Sequence, residues 1–220
     1  MTLNQIVYNI RNIIRAGKGS TNDDMSIEQI KFWVSYYRAT FIRRDVDKNH
    51  FVQRHFEQDL GAIKLIIADP SEVSSIVTGD RVLRSNVKIP DTVRLKDRDG
   101  ITFLGGMDKR TPIPLITVDM GYWGSFSKYG KNATKAFILN NYIYIINNLD
   151  LDYINVRGIF EDPEQVKGFK DENDCDCYTD DMKYPIPADY VEGITSAILK
   201  TESTMFLQGK TDNNQNLIQD

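Results

Sequence analysis

Apolar residues recur at helical spacing through the first sixty positions: Leu3, Ile6, Val7, Ile10, Ile13 and Ile14, then Ile27, Ile30, Val34, Tyr37 and Phe41. Each set makes one stripe on a helix. Thr2 with Gln5, and Ser26 with Gln29, fit capping boxes that open the two helices, and Gly17 fits a stop after the first. The polar stretch Lys18 to Met25 predicts a loop, so the two helices pair as an antiparallel hairpin, the second ending near Asp45. Residues 50–58 predict a short third helix. From Gly61 the period changes. Ala62 to Ala68 is β-branched and predicts a strand ended by Asp69-Pro70. Short strands follow over 80–85, 92–96, 101–105 and 114–119, and a longer one from Tyr153 to Phe160. The clearest hairpin is Ala136 to Leu139, Asn140-Asn141, then Tyr142 to Ile146, because asparagine tolerates the positive φ of a type I′ turn. Helical spacing returns after Tyr184-Pro185-Ile186-Pro187, with Pro187 in the first turn and Val191, Ile194, Ile198, Thr201 and Met205 on one face.

This order predicts an α+β fold: N- and C-terminal helices forming a helical bundle with an inserted antiparallel β domain. The expected divisions are a helical part at 1–60, a β domain at 61–160, an acidic loop at 161–183, a C-terminal helix at 184–208 packing on the N-terminal helices, and an extended polar tail at 209–220.

Length and charge sharpen the picture. The chain has 220 residues, 41% of them hydrophobic, enough for a sizeable core without disulfides or metal. A net charge of -4 excludes general steering toward nucleic acid. That charge is concentrated: nine acids against Lys167 and Lys170 give residues 161–181 a net -7, leaving the remainder at +3. The only cysteines, Cys175 and Cys177, are too close for an unstrained bridge. The N-terminus lacks a basic signal-peptide region, and no run of 18 apolar residues predicts a membrane partner. Synthesis in a cytoplasm is expected.

Candidate chemistry is thin. Gly17-Lys18-Gly19-Ser20 departs from the phosphate-loop pattern, which needs an earlier glycine and a Ser or Thr directly after the lysine. Cys175 and Cys177 with His50 and His55 lack zinc-ligand spacing, so no metal and no cofactor are expected. Glu161 and Asp162 are adjacent acids at a strand end, which suits a solvated turn better than an acid/base pair held across a pocket. No catalytic residue is assigned, and the chain is expected not to be an enzyme. Two surfaces invite protein contact instead. One is the basic stretch Arg38, Arg43, Arg44, Lys48 and Arg54, which suits a solvated helix end whose cations complement the helix dipole, a phosphate backbone, or a neighbour's acids at Asp171, Glu172 and Asp174. The other is the glycine-flanked aromatic loop with Tyr122, Trp123, Phe126 and Tyr129, which suits either its own β domain or an intersubunit contact.

Several segments carry a family resemblance. Tyr142-Ile143-Tyr144-Ile145 and Tyr153-Ile154-Asn155-Val156-Arg157-Gly158-Ile159-Phe160-Glu161-Asp162-Pro163 resemble a signature of virion structural proteins in crAss-like bacteriophages. So do Asp59-Leu60-Gly61, Asp69-Pro70-Ser71, the opening Met1 to Tyr8, and the Tyr184-Pro185-Ile186-Pro187 helix entry. The resemblance implies a ring or adaptor protein of the head-to-tail connector, beneath the portal, extending the DNA channel to the tail. It further implies a homo-oligomeric ring, dodecameric to match the portal. The implied partners are the portal, adjacent tail or ring proteins, and packaged DNA passing without sequence-specific binding. On that reading Phe206, Leu207, Leu217 and Ile218 dock the C-terminal arm onto the portal. The alternatives are a DNA-end or terminase-associated module and a tail-surface hydrolase.

Overall fold

The computed structural model describes residues 1–14, 26–73, 82–96, 98–120, 133–171 and 173–203. The elements run α1 (Leu3–Ile14), α2 (Ile27–Asn49), β1 (Gln58–Ile67), α3 (Pro70–Val73), β2 (Leu83–Ser85), β3 (Ile101–Gly105), β4 (Lys135–Leu139), β5 (Tyr142–Ile146), β6 (Tyr153–Gly158) and α4 (Ala188–Ile198). The fold is α+β and divides into two compact units. A helical unit holds Met1–Phe56, Glu161–Pro163 and Thr179–Asp220. A β unit holds Glu57–Phe160 and Glu164–Tyr178.

Local chemistry starts the helices. The Gln5 N–H donates to Thr2 Oγ1 at 3.3 Å while the Thr2 N–H donates to Gln5 Oε1 at 3.1 Å, a reciprocal cap on α1. The Gln29 N–H donates to Ser26 Oγ at 3.1 Å on α2. Helix α2 ends where His50 turns into the left-handed region at φ 54 and its N–H caps Val46 O. The stripe of α1 buries Leu3, Ile6, Val7 and Ile10 but leaves the expected Ile13 exposed, and α2 buries Ile30, Trp33, Val34, Ile42 and Val46, with the expected Ile27 exposed and Tyr37 and Phe41 half-buried.

Helix α4 lies along α2. Tyr190 meets the rings of Phe41 and Phe56 edge-on at 6.4 and 5.5 Å, and Gly193 leaves room for Phe41. Burial, followed by a hydrogen bond to Asp45, pushes the Tyr190 phenol up to about 12. Beyond α4, in the π-turn Leu199–Ser203, Tyr37 Oη donates to Glu202 Oε1 at 3.0 Å. Ascending positions on α4 thus meet descending positions on α2, so the two run antiparallel.

Within the buried stripe of α2 stands a charge. Arg38, which the sequence groups with the basic surface stretch, is instead 0% exposed. Its Nε donates to Pro185 O at 3.0 Å and its Nη2 to Phe56 O at 3.2 Å, and the guanidinium lies 5.7 Å from the Tyr184 ring centroid. A buried guanidinium is tolerable only with such acceptors. Here they come from the last residue before the β unit and from the segment that leads into α4.

In the β unit six strands follow the order β3-β6-β1-β2-β5-β4, every neighbouring pair antiparallel. Its two edge strands share one covering segment. Ile113 N donates to Leu104 O on β3 at 2.7 Å, and Ile116 N to Ala136 O on β4 at 2.8 Å. The sheet therefore curls until residues 112–116 bridge both edges, which removes the open ladder that an edge strand presents. Strand β5 is buried on both faces: Phe137 stacks on Tyr144 at 5.1 Å in a cluster with Ala68, Val73, Val82 and Ile146, while Ile143 and Ile145 turn to the other side.

Several expectations need correction. Residues 50–58 do not make an α-helix: a single 3-10 turn, Arg54–Phe56, seats Phe56 in the core, and β1 starts at Gln58. Gly61 is not a boundary either. It sits inside β1 at φ 68, where the register with β6 shifts between Asp59 and Ala62. Residues 92–96 and 114–119 are not strands. Val93 and Leu95 bury as expected, but a turn begins at Leu95, whose N–H bonds Arg98 O. Pro112 and Pro114 lack the N–H that a ladder needs, so that segment makes single bridges, and residues 118–120 are helical. Pro187 is the N-cap of α4 rather than its first turn. The expected loop at Lys18–Met25 with its Gly17 stop lies outside the described residues.

Replacing Arg38 with Ala strands the carbonyls of Phe56 and Pro185, and unfolding in urea is expected to show a loss of about 3 kcal/mol.

Candidate assembly surfaces

The signature segment builds a latch between β1 and β6. Asp59 Oδ1 accepts the Gly61 N–H at 2.8 Å and Asn155 Nδ2 at 2.9 Å, and the same amide donates to Gly61 O at 3.2 Å. Asn155 is fully buried. Arg157 reaches Asp59 at 3.7 Å and Glu57 at 4.0 Å. Phe160 is buried, and its bridge to Thr92 ends the strand. These side chains hold a bulge in register, a packing role. A Cβ on Gly61 would come 2.1 Å from Lys170 O, since the Ala62 N–H donates to that carbonyl at 3.1 Å.

Lys170 belongs to Glu164–Tyr178, the part of the acidic segment that lies in the β unit. Val166 and Tyr178 are buried, and residues 169–177 close a small hairpin through Cys177 N to Phe169 O at 2.8 Å and Asp171 N to Cys175 O at 2.9 Å. Asp171 Oδ1 accepts the N–H groups of Asn173 and Cys175, at 2.8 and 2.9 Å, and these bonds lower its pKa. Exposed Asp174 pairs with Lys170 at 2.8 Å. A hollow of about 300 Å³ lies here, lined by Asp59, Lys109, Asp171, Asp176 and Cys177. Burial, then the charges of Asp59, Asp171 and Asp176, push the Cys177 thiol up to about 11. That is the opposite of what a nucleophilic thiolate needs. Among the described residues no group of three or more His, Cys, Asp or Glu is placed to hold a metal ion.

Helix α2 also carries apolar residues on the face turned from the core. Phe32 and Tyr36 are 62% and 56% exposed and stack on each other at 6.3 Å. Further along that face Arg43 is exposed, 3.9 Å from Asp47, with Arg44 exposed beside it. Aromatic residues are enriched at protein interfaces, so this exposed pair is a candidate contact.

Residues 5–220 match the model of the family described as phage tail ring protein 2 (CrAss_Ring_2). The chain belongs to the phage tail ring protein 2 family. Among curated proteins nothing matches it. As a ring protein of crAss-like phages, the chain has a structural role in the virion, which accords with site geometry devoted to packing. Among the described residues no helix is long and apolar enough to cross a membrane.

The ring protein's expected contact residues fall unevenly on this structure. Arg43 and Arg44 are exposed on α2 in the helical unit, Arg43 on the face of Phe32 and Tyr36 and Arg44 on the stripe of Tyr37 and Phe41, and Asp171 and Asp174 lie in the hairpin of the β unit. Glu172, the aromatic loop with Tyr122, Trp123, Phe126 and Tyr129, the arm residues Phe206, Leu207, Leu217 and Ile218, and the Gly17 to Ser20 stretch lie outside the described residues. Asp162 accepts a hydrogen bond from Ser35 Oγ at 3.4 Å. His50 and His55 belong to the helical unit, while Cys175 and Cys177 belong to the β unit. Sequence reasoning missed Phe32 and Tyr36. Their signal was available: two aromatics at i, i+4 spacing off the core stripe.

Thiol labelling at neutral pH is expected to modify exposed Cys175 at least about tenfold faster than Cys177, read by mass spectrometry of the two peptides. A second expectation concerns acid. Because the folded-state pKa of Asp171 is depressed, its turn is intact above the ordinary carboxylate range and opens only as pH falls through the lowered value. The amide resonances of Asn173 and Cys175 are expected to titrate with a midpoint below that of an exposed aspartate.

Proposed function

We propose that this ring protein is a subunit of the head-to-tail connector, set beneath the portal and prolonging the DNA channel toward the tail. The observation that carries the reading is the family match over residues 5–220. Copies arranged around the tail axis form a homo-oligomeric ring, dodecameric where it matches the portal. The N- and C-terminal helices act together as a bundle that supplies lateral contacts. The C-terminal arm, with Phe206, Leu207, Leu217 and Ile218, docks on the portal. DNA passes through without base-specific contact, consistent with a net charge of -4.

Two features of the fold support an assembly role. The covered sheet edges mean that copies held at high local concentration do not join by strand addition. The exposed aromatic and basic face of α2 offers side-chain area for specific contact instead.

Deleting residues 206–220 is expected to leave a folded subunit with unchanged circular dichroism that no longer captures the portal in a pull-down. Portal capture at full strength by the truncated chain contradicts the docking role.

A further inference from the structure

The hollow in the β unit holds one hydrogen-bonding atom without a partner. Asn155 is 0% exposed and lines the hollow. Its Nδ2 donates to Asp59 Oδ1 at 2.9 Å and to Gly61 O at 3.2 Å, which uses both amide protons. Turning the amide over would set a carbonyl against two acceptors, so the oxygen is fixed on the side away from them. That oxygen, Oδ1, is buried and receives no hydrogen bond among the described residues. A buried amide carbonyl without a donor is rare and costly. The walls around it carry the same demand. Asp59, Asp171 and Asp176 line the hollow against one cation, Lys109, while the Cys177 thiol stays neutral. Three carboxylates and one ammonium leave a charge of -2. Lys109 is held loosely: its Nζ lies 3.5 Å from Asp59 Oδ2, and its side chain is 43% exposed.

We infer that this hollow is a socket for a guanidinium, the side chain of an arginine on another protein, which donates to Asn155 Oδ1 and to the Asp176 carboxylate and displaces Lys109. The missing partner of Asn155 is a donor, and the charge of the walls calls for a cation. A metal ion is the poorer occupant. Among the described residues no three acidic groups are gathered to hold one, yet three carboxylates line a single space of about 300 Å³. Spread acceptors suit a planar fork of five N–H donors better than a point charge. The same walls repel the carboxylate of a free amino acid, so the arginine arrives as part of a chain. Asp171 adds charge rather than a primary contact, because its Oδ1 is engaged by the N–H groups of Asn173 and Cys175. The socket stands on the geometry of the β unit alone; the ring reading supplies only the neighbours that could carry the arginine.

The test is a nuclear magnetic resonance titration of the full chain with Nα-acetyl-argininamide, which stands for an arginine within a protein. The side-chain amide of Asn155 and the backbone amides of residues 173–177 are expected to shift saturably. The neutral isostere Nα-acetyl-citrullinamide is expected to leave them in place. Asp176→Asn is expected to weaken binding about fivefold or more, and Lys109→Ala, which removes the resident cation, to tighten it about threefold. Circular dichroism confirms that both variants fold. Replacing Asn155 endangers the bulge between β1 and β6, so that residue is followed by its resonance and not by substitution. Equal shifts with the citrulline compound show that charge is not read and overturn the socket. No shift with either compound leaves the hollow to water and overturns it as well. Saturation by Ca²⁺ alone, without a response to the arginine compound, makes it a metal site instead. Binding of free arginine without binding of the blocked form overturns the protein-borne source. Each of these results leaves the ring reading untouched, and a chain that forms no ring leaves the titration valid.

Discussion

A guanidinium in the middle of an apolar helix stripe is the constraint around which the helical unit is organised. Arg38 interrupts the run Ile30, Val34, Ile42 and Val46 at a position where packing alone calls for leucine or isoleucine. It is compatible with the fold only if water is replaced by acceptors of good geometry. Those acceptors, Phe56 O and Pro185 O, are 129 residues apart in the numbering of the chain, one at the end of the first segment of the unit and the other in its last. The N-terminal helices are thus fully satisfied only when the segment leading to α4 has returned. Hydrophobic burial is non-directional and tolerates slippage, whereas a planar donor fork fixes register. Fixing that register also fixes which residues of α2 are left outside, and so places Phe32 and Tyr36 where another molecule can reach them.

The β unit solves a different problem. A six-stranded antiparallel sheet has two edges, and each open edge invites pairing with another chain. Residues 112–116 cover both, with Pro112 and Pro114 lowering the segment's own capacity to recruit a strand. The signature residues Asp59, Asn155 and Arg157 keep β1 and β6 aligned across the bulge at Gly61. The acidic patch of the linear chain is occupied with internal work: a carboxylate caps a turn, another pairs with a lysine, and a thiol is held protonated by its surroundings.

How far the fold was legible depended on whether its determinants were local. The capping pair Thr2 and Gln5, the stripe of α1, strand 101–105 and the Asn140-Asn141 turn, at φ 52 and 65, all follow from neighbours in the chain. Gly61 misled because a glycine marks a strand end and a bulge with equal ease, and only the partner strand distinguishes them. Val93 and Leu95 misled because alternating burial does not require a ladder. The role of Arg38 was not legible at all, since its acceptors are carbonyls that no side-chain pattern announces. For the surfaces, Arg43 and Arg44 were readable as an exposed basic end. The outward aromatics on the same helix were hidden by a stripe assignment that looked only for the core side.

On the proposed reading, the work of this polypeptide lies in adhesion between surfaces. The most direct measurement is cryo-electron microscopy of intact virions, with this chain placed in the neck density. The account predicts a closed ring of copies coaxial with the portal and touching it. Density for the chain away from the tail axis, or particles that lack it yet join capsid to tail normally, would contradict it.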